Sequence, residues 1–295
     1  MKRVLLTGGD GFVGSHLLPR LQDNRNDYQV TTLHKDQVNL QSKDPFDGRL
    51  KRQEWDMVVH LAGISQVAEC ERDPQQARRV NVEYPRLLLE HLVETNSGTH
   101  FIFASTSQVY GAGVELTETS AIAPLNLYAE TKCEAEEVVR EFAGRNGLSA
   151  TILRFFNHTH KTQPPSFFLP HVYRQLLSLR EARGLHRIPV GNLEVARDIG
   201  SVRDLVRALL AVIQKASWEL ETFNVCSGQP KRLRTLASGL AARLEVDVEF
   251  VVDPSRVRAN DPPVISGSPA KLTARTGWKP QVRSEQELID DFLAD

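Results

Sequence analysis

The sequence predicts an α/β protein built on a doubly wound parallel sheet, followed by a smaller C-terminal α/β region. Short, wholly apolar runs such as Val4-Leu5-Leu6 and Phe101-Ile102-Phe103-Ala104 have the character of strands buried on both faces. Up to Phe155 such runs alternate with longer amphipathic stretches, the order that gives parallel strands with helices on both faces. A glycine-rich turn, Thr7-Gly8-Gly9-Asp10-Gly11-Phe12-Val13-Gly14, joins the first run to the first amphipathic stretch.

Composition bounds the rest. Of the 295 residues 41% are hydrophobic and 25% charged, a balance that excludes a disordered chain. A formal net charge of −1 gives no reason to expect nucleic acid. No stretch approaches the ~20 apolar residues of a membrane span. Three widely spaced cysteines, Cys70, Cys133 and Cys226, make no disulfide framework, which suits a reducing, cytoplasmic setting.

In chain order, the first strand enters a Gly-x-x-Gly-x-x-Gly turn. Gly8 suits the tight bend, Gly11 lets backbone approach a pyrophosphate, and Gly14 lets the helix pack on the strand. Phe12, Val13, His16, Leu17 and Leu21 mark that helix. The second strand, Gln29 to Leu33, ends in His34-Lys35 where an acid would hold the 2′-hydroxyl of NAD. A basic residue there suits a 2′-phosphate, so NADP(H) is favoured with NAD(H) possible, and Asp36 lies next door. Asn39-Leu40 falls where an adenine ring would be contacted. Asp56 to Gly63 reads as a third strand whose small end, Leu61-Ala62-Gly63, permits close approach of a cofactor. His60 reads as a packing residue. One long helix is expected from Pro74 to Glu94, with a stripe of Ala77, Val80, Tyr84, Leu88 and Leu92.

The fourth strand delivers the hydroxyl cluster Ser105-Thr106-Ser107. A helix then runs to Asn146 and stops at Gly147, carrying Tyr128 and Lys132 four residues apart on one face. A lysine beside a phenol favours the phenolate, and a free tyrosine with a pKa near ~10 needs such help to move protons at neutral pH. Nucleotide cradle, hydroxyl and Tyr/Lys pair, in that order, are the parts of a hydride-transfer site. Thr151 to Leu153 is the fifth strand. After Asn157 the chain turns to prolines, histidines and irregular loop, which divides it into a dinucleotide-binding region, 1–155 with later contributions near 197–225, and a mainly substrate-binding region, 156–295. Helices are expected over His171 to Arg183, Val202 to Lys215, Leu233 to Leu244 and near Lys271 and Ile289, with strands at Thr222 to Val225 and Val246 to Val252. His158-Thr159-His160 has no accompanying cysteine or carboxylate cluster, so no metal is expected.

The glycine turn, His60-Leu61-Ala62-Gly63, Ser105 to Gly111, Tyr128-x-x-x-Lys132 and Arg154-Phe155-Phe156-Asn157 together resemble the extended short-chain dehydrogenase/reductases, the nucleotide-sugar epimerase and dehydratase family, over the whole chain. Phe156-Asn157-His158-Thr159, Val190 to Glu194, Arg197-Asp198, Asn224 to Gly228 and Asp253-Pro254-x-Arg256-x-Arg258 resemble its GDP-4-keto-6-deoxy-D-mannose reductases, although the usual Gly-Pro after Asn-His-Thr is His160-Lys161 here. The resemblance implies a Rossmann domain and a homodimer formed through the two long helices. It makes Tyr128 the proton donor, Lys132 the residue that lowers its pKa and holds the nicotinamide ribose, and Thr106 the hydroxyl on the substrate's 4-oxygen. It places the cofactor on Gly8, Gly11, Phe12, Val13, His34, Lys35, Asn39, Leu40, Leu61, Ala62, Gly63 and Asn81 besides the Tyr/Lys pair. Substrate contacts fall to Thr106, Ser107, Asn157, Asn192, Arg197, Arg258 and Asp261, with Asn157 and Arg197 holding the diphosphate from two sides. The implied reaction is NAD(P)H-dependent reduction of a GDP-linked 4-keto-6-deoxy sugar. A GDP-mannose 4,6-dehydratase or a nucleotide-sugar 4-epimerase shares much of the pattern, whereas a nucleotide-sensing binding protein would need no Tyr/Lys pair.

Overall fold

The computed structural model describes residues 1–24, 26–40, 42, 45–46, 50, 54–95, 98–182, 184–257 and 261–294. Strand β1 (Lys2–Thr7) passes through the glycine turn into α1 (Phe12–Asp23), and β2 (Tyr28–Leu33) pairs with β1 in parallel. The chain then crosses back to lay β3 (Met57–His60) on the other side of β1. After α2 (Val67–Arg72), α3 (Pro74–Arg78) and α4 (Tyr84–Thr95) come β4 (His100–Thr106) and a short β5 (Gly113–Leu116). Helix α5 (Leu127–Asn146) leads into β6 (Ser149–Phe155).

One expectation fails in this half. The single helix expected from Pro74 to Glu94 is broken by a π-helical turn at Arg79–Glu83. The wider turn brings Asn81 inward, 1% exposed, where its amide oxygen accepts from the Ile64 N–H at 2.8 Å and its nitrogen donates to the Ile64 carbonyl and to Thr131 Oγ1. Such turns are found at functional sites because they re-aim a side chain a regular helix would misplace.

Beyond Phe155 the expected helices are present, and strands at 157–159, 186–190, 196–201, 230–232 and 264–267 are added to the two the sequence suggested. Strand β7 (Asn157–Thr159), α6 (Phe168–Leu179), β8 (His186–Val190) and β9 (Ala196–Ser201) precede α7 (Val202–Lys215). Then follow β10 (Leu220–Val225), β11 (Pro230–Arg232), α8 (Leu233–Arg243), β12 (Val248–Val252), β13 (Val264–Gly267), α9 (Ala270–Thr276) and α10 (Glu285–Leu293). Helix α6 begins earlier and ends sooner than His171 to Arg183, and Arg183 lies outside the described residues.

The main sheet has the order β10-β6-β4-β3-β1-β2 and is parallel throughout. Its winding reverses between β1 and β3, and in such sheets a crevice opens beyond the carboxyl ends of the strands at that point. One face carries α1, α7 and α9 through Leu17, Leu21, Leu209, Val212, Leu272 and Trp278. The opposite face carries α4 and α5 through Leu88, Leu89, Leu92, Val138, Val139 and Phe142, so the two long helices share one side. A second sheet, β11-β9-β13-β5 with β7 added to β9, lies apart from the first, and a two-stranded β12-β8 unit packs with α6, α8 and α10 around a separate apolar core.

Candidate active site

The glycine turn stands at the crevice. Gly8 has φ +72°, and a Cβ there would come within 2.7 Å of the Ala62 nitrogen, so any side chain would both strain the turn and push β3's small end away. At Gly14 a Cβ would sit 2.0 Å from the Gly8 carbonyl oxygen, which fixes the close approach of α1 to the turn. Gly11 precedes α1 without a side-chain cap, leaving the first-turn N–H groups to meet an anion. Phe12 and Val13 follow in the first turn of α1, with the Phe12 ring stacked on His158 at 5.7 Å. Across the crevice Leu61 N donates to the Thr7 carbonyl, and Leu61-Ala62-Gly63 lines the end of β3. His60 is a packing residue as expected: Thr7 Oγ1 lies 2.8 Å from its Nδ1, it stacks on Phe101 and Phe103, and burial pulls its pKa down to about 3.

At the chemical end, Thr106 closes β4 and Tyr128 and Lys132 project from the first turns of α5, all three less than 9% exposed. Asn126 caps α5 by accepting from the Ala129 N–H at 2.9 Å, and Gln108 Oε1 accepts from the Asn126 side-chain amide at 3.0 Å. The Tyr128 phenol is pushed up to about 12 by burial, against which a hydrogen bond with Thr106 works. Thr106 is the group whose hydrogen bond opposes burial at Tyr128. Lys132 Nζ donates to the Ala104 carbonyl at 2.8 Å, lies over the Phe103 ring at 4.8 Å, and stands where a Cβ on Gly63 would meet it at 3.4 Å. Burial pulls the Lys132 ammonium down to about 8, with Glu136 working the other way.

Glu136 is a residue the sequence reading passed over. It lies one turn beyond Lys132 on the inner stripe of α5, 2% exposed, and accepts from Ser105 Oγ at 2.5 Å and from Arg154 Nε and Nη2 at 2.9 and 2.7 Å. Burial would raise its carboxyl, but Arg154 outweighs that, with help from Ser105 and Arg140, and the pKa ends below the usual range. Arg154 also donates to Tyr110 Oη at 2.8 Å, and Tyr110 donates to Asn224 Oδ1 at 2.7 Å. The network ties β4, β6, β10 and α5 together directly behind Thr106, Tyr128 and Lys132. The i, i+4, i+8 spacing of Tyr128, Lys132 and Glu136 was a signal for it.

The remaining candidates separate by place. At the end of β2, His34 is half-buried while Lys35 and Asn39 are exposed and Leu40 is half-buried. Asn157, exposed at the start of β7, and half-buried Asn192 after β8 reach the second sheet's side, as does Arg197 on β9. Arg197 Nη2 donates to Asp261 at 2.5 Å, so those two candidates are brought together. Ser107 is 8% exposed beside Thr106, and Arg258 lies outside the described residues. Among the described residues no cluster of three or more His, Cys, Asp and Glu side chains is placed to hold a metal.

Comparison with known proteins follows the same lines. Over 97% of its length the chain is 32% identical to a GDP-6-deoxy-D-mannose reductase of Pseudomonas aeruginosa, of which it covers 95%. It is 26% identical to a GDP-6-deoxy-D-talose 4-dehydrogenase of Aggregatibacter actinomycetemcomitans, across 98% of the chain and 96% of that protein. Its fold matches RMD from Pseudomonas aeruginosa complexed with NADPH at a TM-score of 0.88 and 30% identity, covering 99% of both chains. It matches a UDP-glucose 4-epimerase from Thermotoga maritima with UDP-glucose at 0.85 and 27%, covering 98% of both. Residues 4–226 match the model of the NAD dependent epimerase/dehydratase family, and the chain belongs to that family.

Proposed function

We propose that the protein is an NAD(P)H-dependent reductase of a nucleotide-linked 4-keto-6-deoxy sugar, with GDP-4-keto-6-deoxy-D-mannose as substrate and GDP-D-rhamnose as product. The observation that carries this is the burial of Thr106, Tyr128 and Lys132, with Thr106 bonding the Tyr128 phenol and Lys132 beside Gly63, at the end of β3 against which the glycine turn packs. The 32% identity to a GDP-6-deoxy-D-mannose reductase across nearly the whole chain supports the substrate class.

When bound at the crevice, a reduced nicotinamide supplies the hydride; NADP(H) is favoured and NAD(H) possible. Tyr128 delivers the proton to the alkoxide forming at C4, and Thr106 holds that oxygen while bonding the phenol. Reduction consumes a proton at the site, and the Tyr128 phenol is the group placed to give it. Lys132 holds the nicotinamide ribose and sets a positive potential beneath the developing charge. Asn157 and Arg197 take the diphosphate, a task for which the arginine fork is well shaped, and Asn192 and Asp261 line the nucleotide end.

Gln108 separates this reading from a 4,6-dehydratase. In the enzymes the chain resembles, a glutamate just after the hydroxyl removes the C5 proton, and an amide whose oxygen already accepts from Asn126 cannot do so. Incubated with GDP-4-keto-6-deoxymannose, the purified protein should oxidise NADPH in proportion to the substrate added, with GDP-D-rhamnose identified by NMR. A 4-epimerase would not consume cofactor. Conversion of GDP-mannose with NADP+ to the keto sugar at ~1 s⁻¹ or more would favour the dehydratase instead.

The shared face of α4 and α5 suits a homodimer, and sedimentation at twice the chain mass tests it. Among the described residues no helix is long and apolar enough to cross a membrane, and we assign the protein to the cytoplasm.

A further inference from the structure

The crevice beyond β2 is lined by Asp10, His34, Lys35, Asp36 and Gln37. Lys35 is the expected partner of a 2′-phosphate there, and His34 its neighbour. The geometry gives His34 another task. Its Nδ1 lies 2.5 Å from Asp10 Oδ2 and its Nε2 lies 2.8 Å from Thr32 Oγ1. An ionised carboxylate only accepts, so Nδ1 carries its hydrogen toward Asp10. With the other nitrogen held by Thr32, the ring has no N–H left for a phosphate unless one of these bonds breaks. Its backbone is pinned as well, because His34 N donates to Gln37 Oε1 at 3.0 Å.

Asp10, by contrast, stands on the glycine turn with 73% of its side chain exposed. It gives one carboxylate oxygen to His34 and keeps further acceptor sites open to the crevice. Together with Lys35 and Asp36 it lines the crevice, which therefore holds two carboxylates against one lysine and one tethered imidazole. A 2′-phosphate carrying about −1.5 to −2 charges would meet repulsion from both acids, whereas a 2′-hydroxyl could donate to one.

Resting on the reading of this crevice as a dinucleotide site, we propose that Asp10, oriented by His34, is the acid that reads the ribose 2′-position and restrains the preference for NADPH that Lys35 creates. The acid usually found at the end of the second strand has moved to the glycine turn, across the crevice from its ordinary place.

Dissociation constants for NADPH and NADH, measured by quenching of protein fluorescence, test this in the full-length protein and its variants. Asp10→Asn should raise the affinity ratio of NADPH to NADH about tenfold, mainly by relieving repulsion of the 2′-phosphate and strengthening NADPH, and Lys35→Ala should lower the ratio. A ratio for Asp10→Asn that falls, or stays within threefold of the parent, overturns the assignment. Failure of the parent protein to bind either dinucleotide would instead defeat the cofactor reading itself. Asp10 is exposed on a turn, so loss of folding does not confuse the result, and circular dichroism of the variant checks it.

Discussion

Two arginine–glutamate pairs in this chain have nearly the same length and very different meaning. Arg154 Nη2 lies 2.7 Å from Glu136, with 3% and 2% of the side chains exposed. Arg187 Nε lies 2.8 Å from Glu249 across the β8–β12 unit, with 77% and 48% exposed. The first pair stands behind the Tyr/Lys site, shares its charges with Ser105, Tyr110 and Arg140, and is screened from water. The second is a rim contact whose charges are already solvated. The contrast teaches that geometry alone does not set the worth of an ion pair: where it is buried, each partner holds the other's desolvation in check. It also divides the molecule into a chemical centre held rigid by buried polar bonds and a periphery where exposed groups adjust binding.

The largest effect should appear where the buried network meets the reaction. Tyr128→Phe removes the proposed proton donor and keeps the ring, so turnover should fall by ~10²–10⁴ while cofactor affinity is nearly unchanged. Steady-state kinetics with a nucleotide-linked keto sugar and NADPH decide it. Near-parental turnover would take Tyr128 out of the mechanism and with it the idea that the buried centre is the reactive one.

Next in size is the buried pair. Arg154→Met takes the buried partner from Glu136 and leaves its carboxylate held by Ser105 and the half-exposed Arg140, so unfolding stability should drop by as much as ~3–5 kcal/mol. Replacing both, Glu136→Met with Arg154→Met, should recover much of that loss, because the penalty belongs to the orphaned charge rather than to a missing bond. Urea titrations of the parent, single and double variants measure the difference. Equal losses in the single and the double would mean that packing, not charge, governs this site.

How much of this could be read beforehand follows the same division. Tyr128 and Lys132 share a helix face, and the glycine turn is a contiguous string, so both are visible in short windows of sequence. The central strands show as apolar runs because both of their faces are covered. The second sheet was invisible: Ala196–Ser201 and Pro230–Arg232 have no alternation, and each becomes a strand only through partners elsewhere in the chain. Asp198 illustrates the reason, for its buried carboxylate accepts from the Ser227 and Gly228 N–H groups, a polar anchor that no hydropathy pattern announces. Glu136 and Asp10 escaped for the same cause, their partners Arg154 and His34 being distant in sequence. The break at Asn81 was hidden because the apolar stripe runs on through the π turn.

A smaller effect concerns pH. Burial holds the Lys132 ammonium near a pKa of about 8 and the Tyr128 phenol near about 12. Below pH 8 the lysine is charged and the phenol protonated, the state reduction requires. As pH rises through 8 the lysine loses its proton while the tyrosine keeps its own, so kcat/KM should decline about tenfold per unit above that point, the slope of a single ionisation. An alkaline limb that begins several units higher would assign it to the phenol and show that Lys132 stays charged.

The smallest effect returns to the exposed pair. Glu249→Gln removes the charge opposite Arg187 but leaves a side chain of equal length, and water already surrounds both groups. An exposed pair is worth ~0.2–1 kcal/mol, and the guanidinium left behind is rehydrated rather than stranded. Stability should therefore fall by no more than that amount, and raising the salt concentration should bring parent and variant closer, since screening weakens what the parent alone possesses. Keto-sugar turnover should not change, because among the described residues no hydrogen bond or ion pair joins Glu249 to α5. A loss approaching that of Arg154→Met would break the contrast between the two pairs: it would mean that the β8–β12 surface is covered in the working protein, and that burial, the property which sets the worth of the inner pair, extends to the outer one as well.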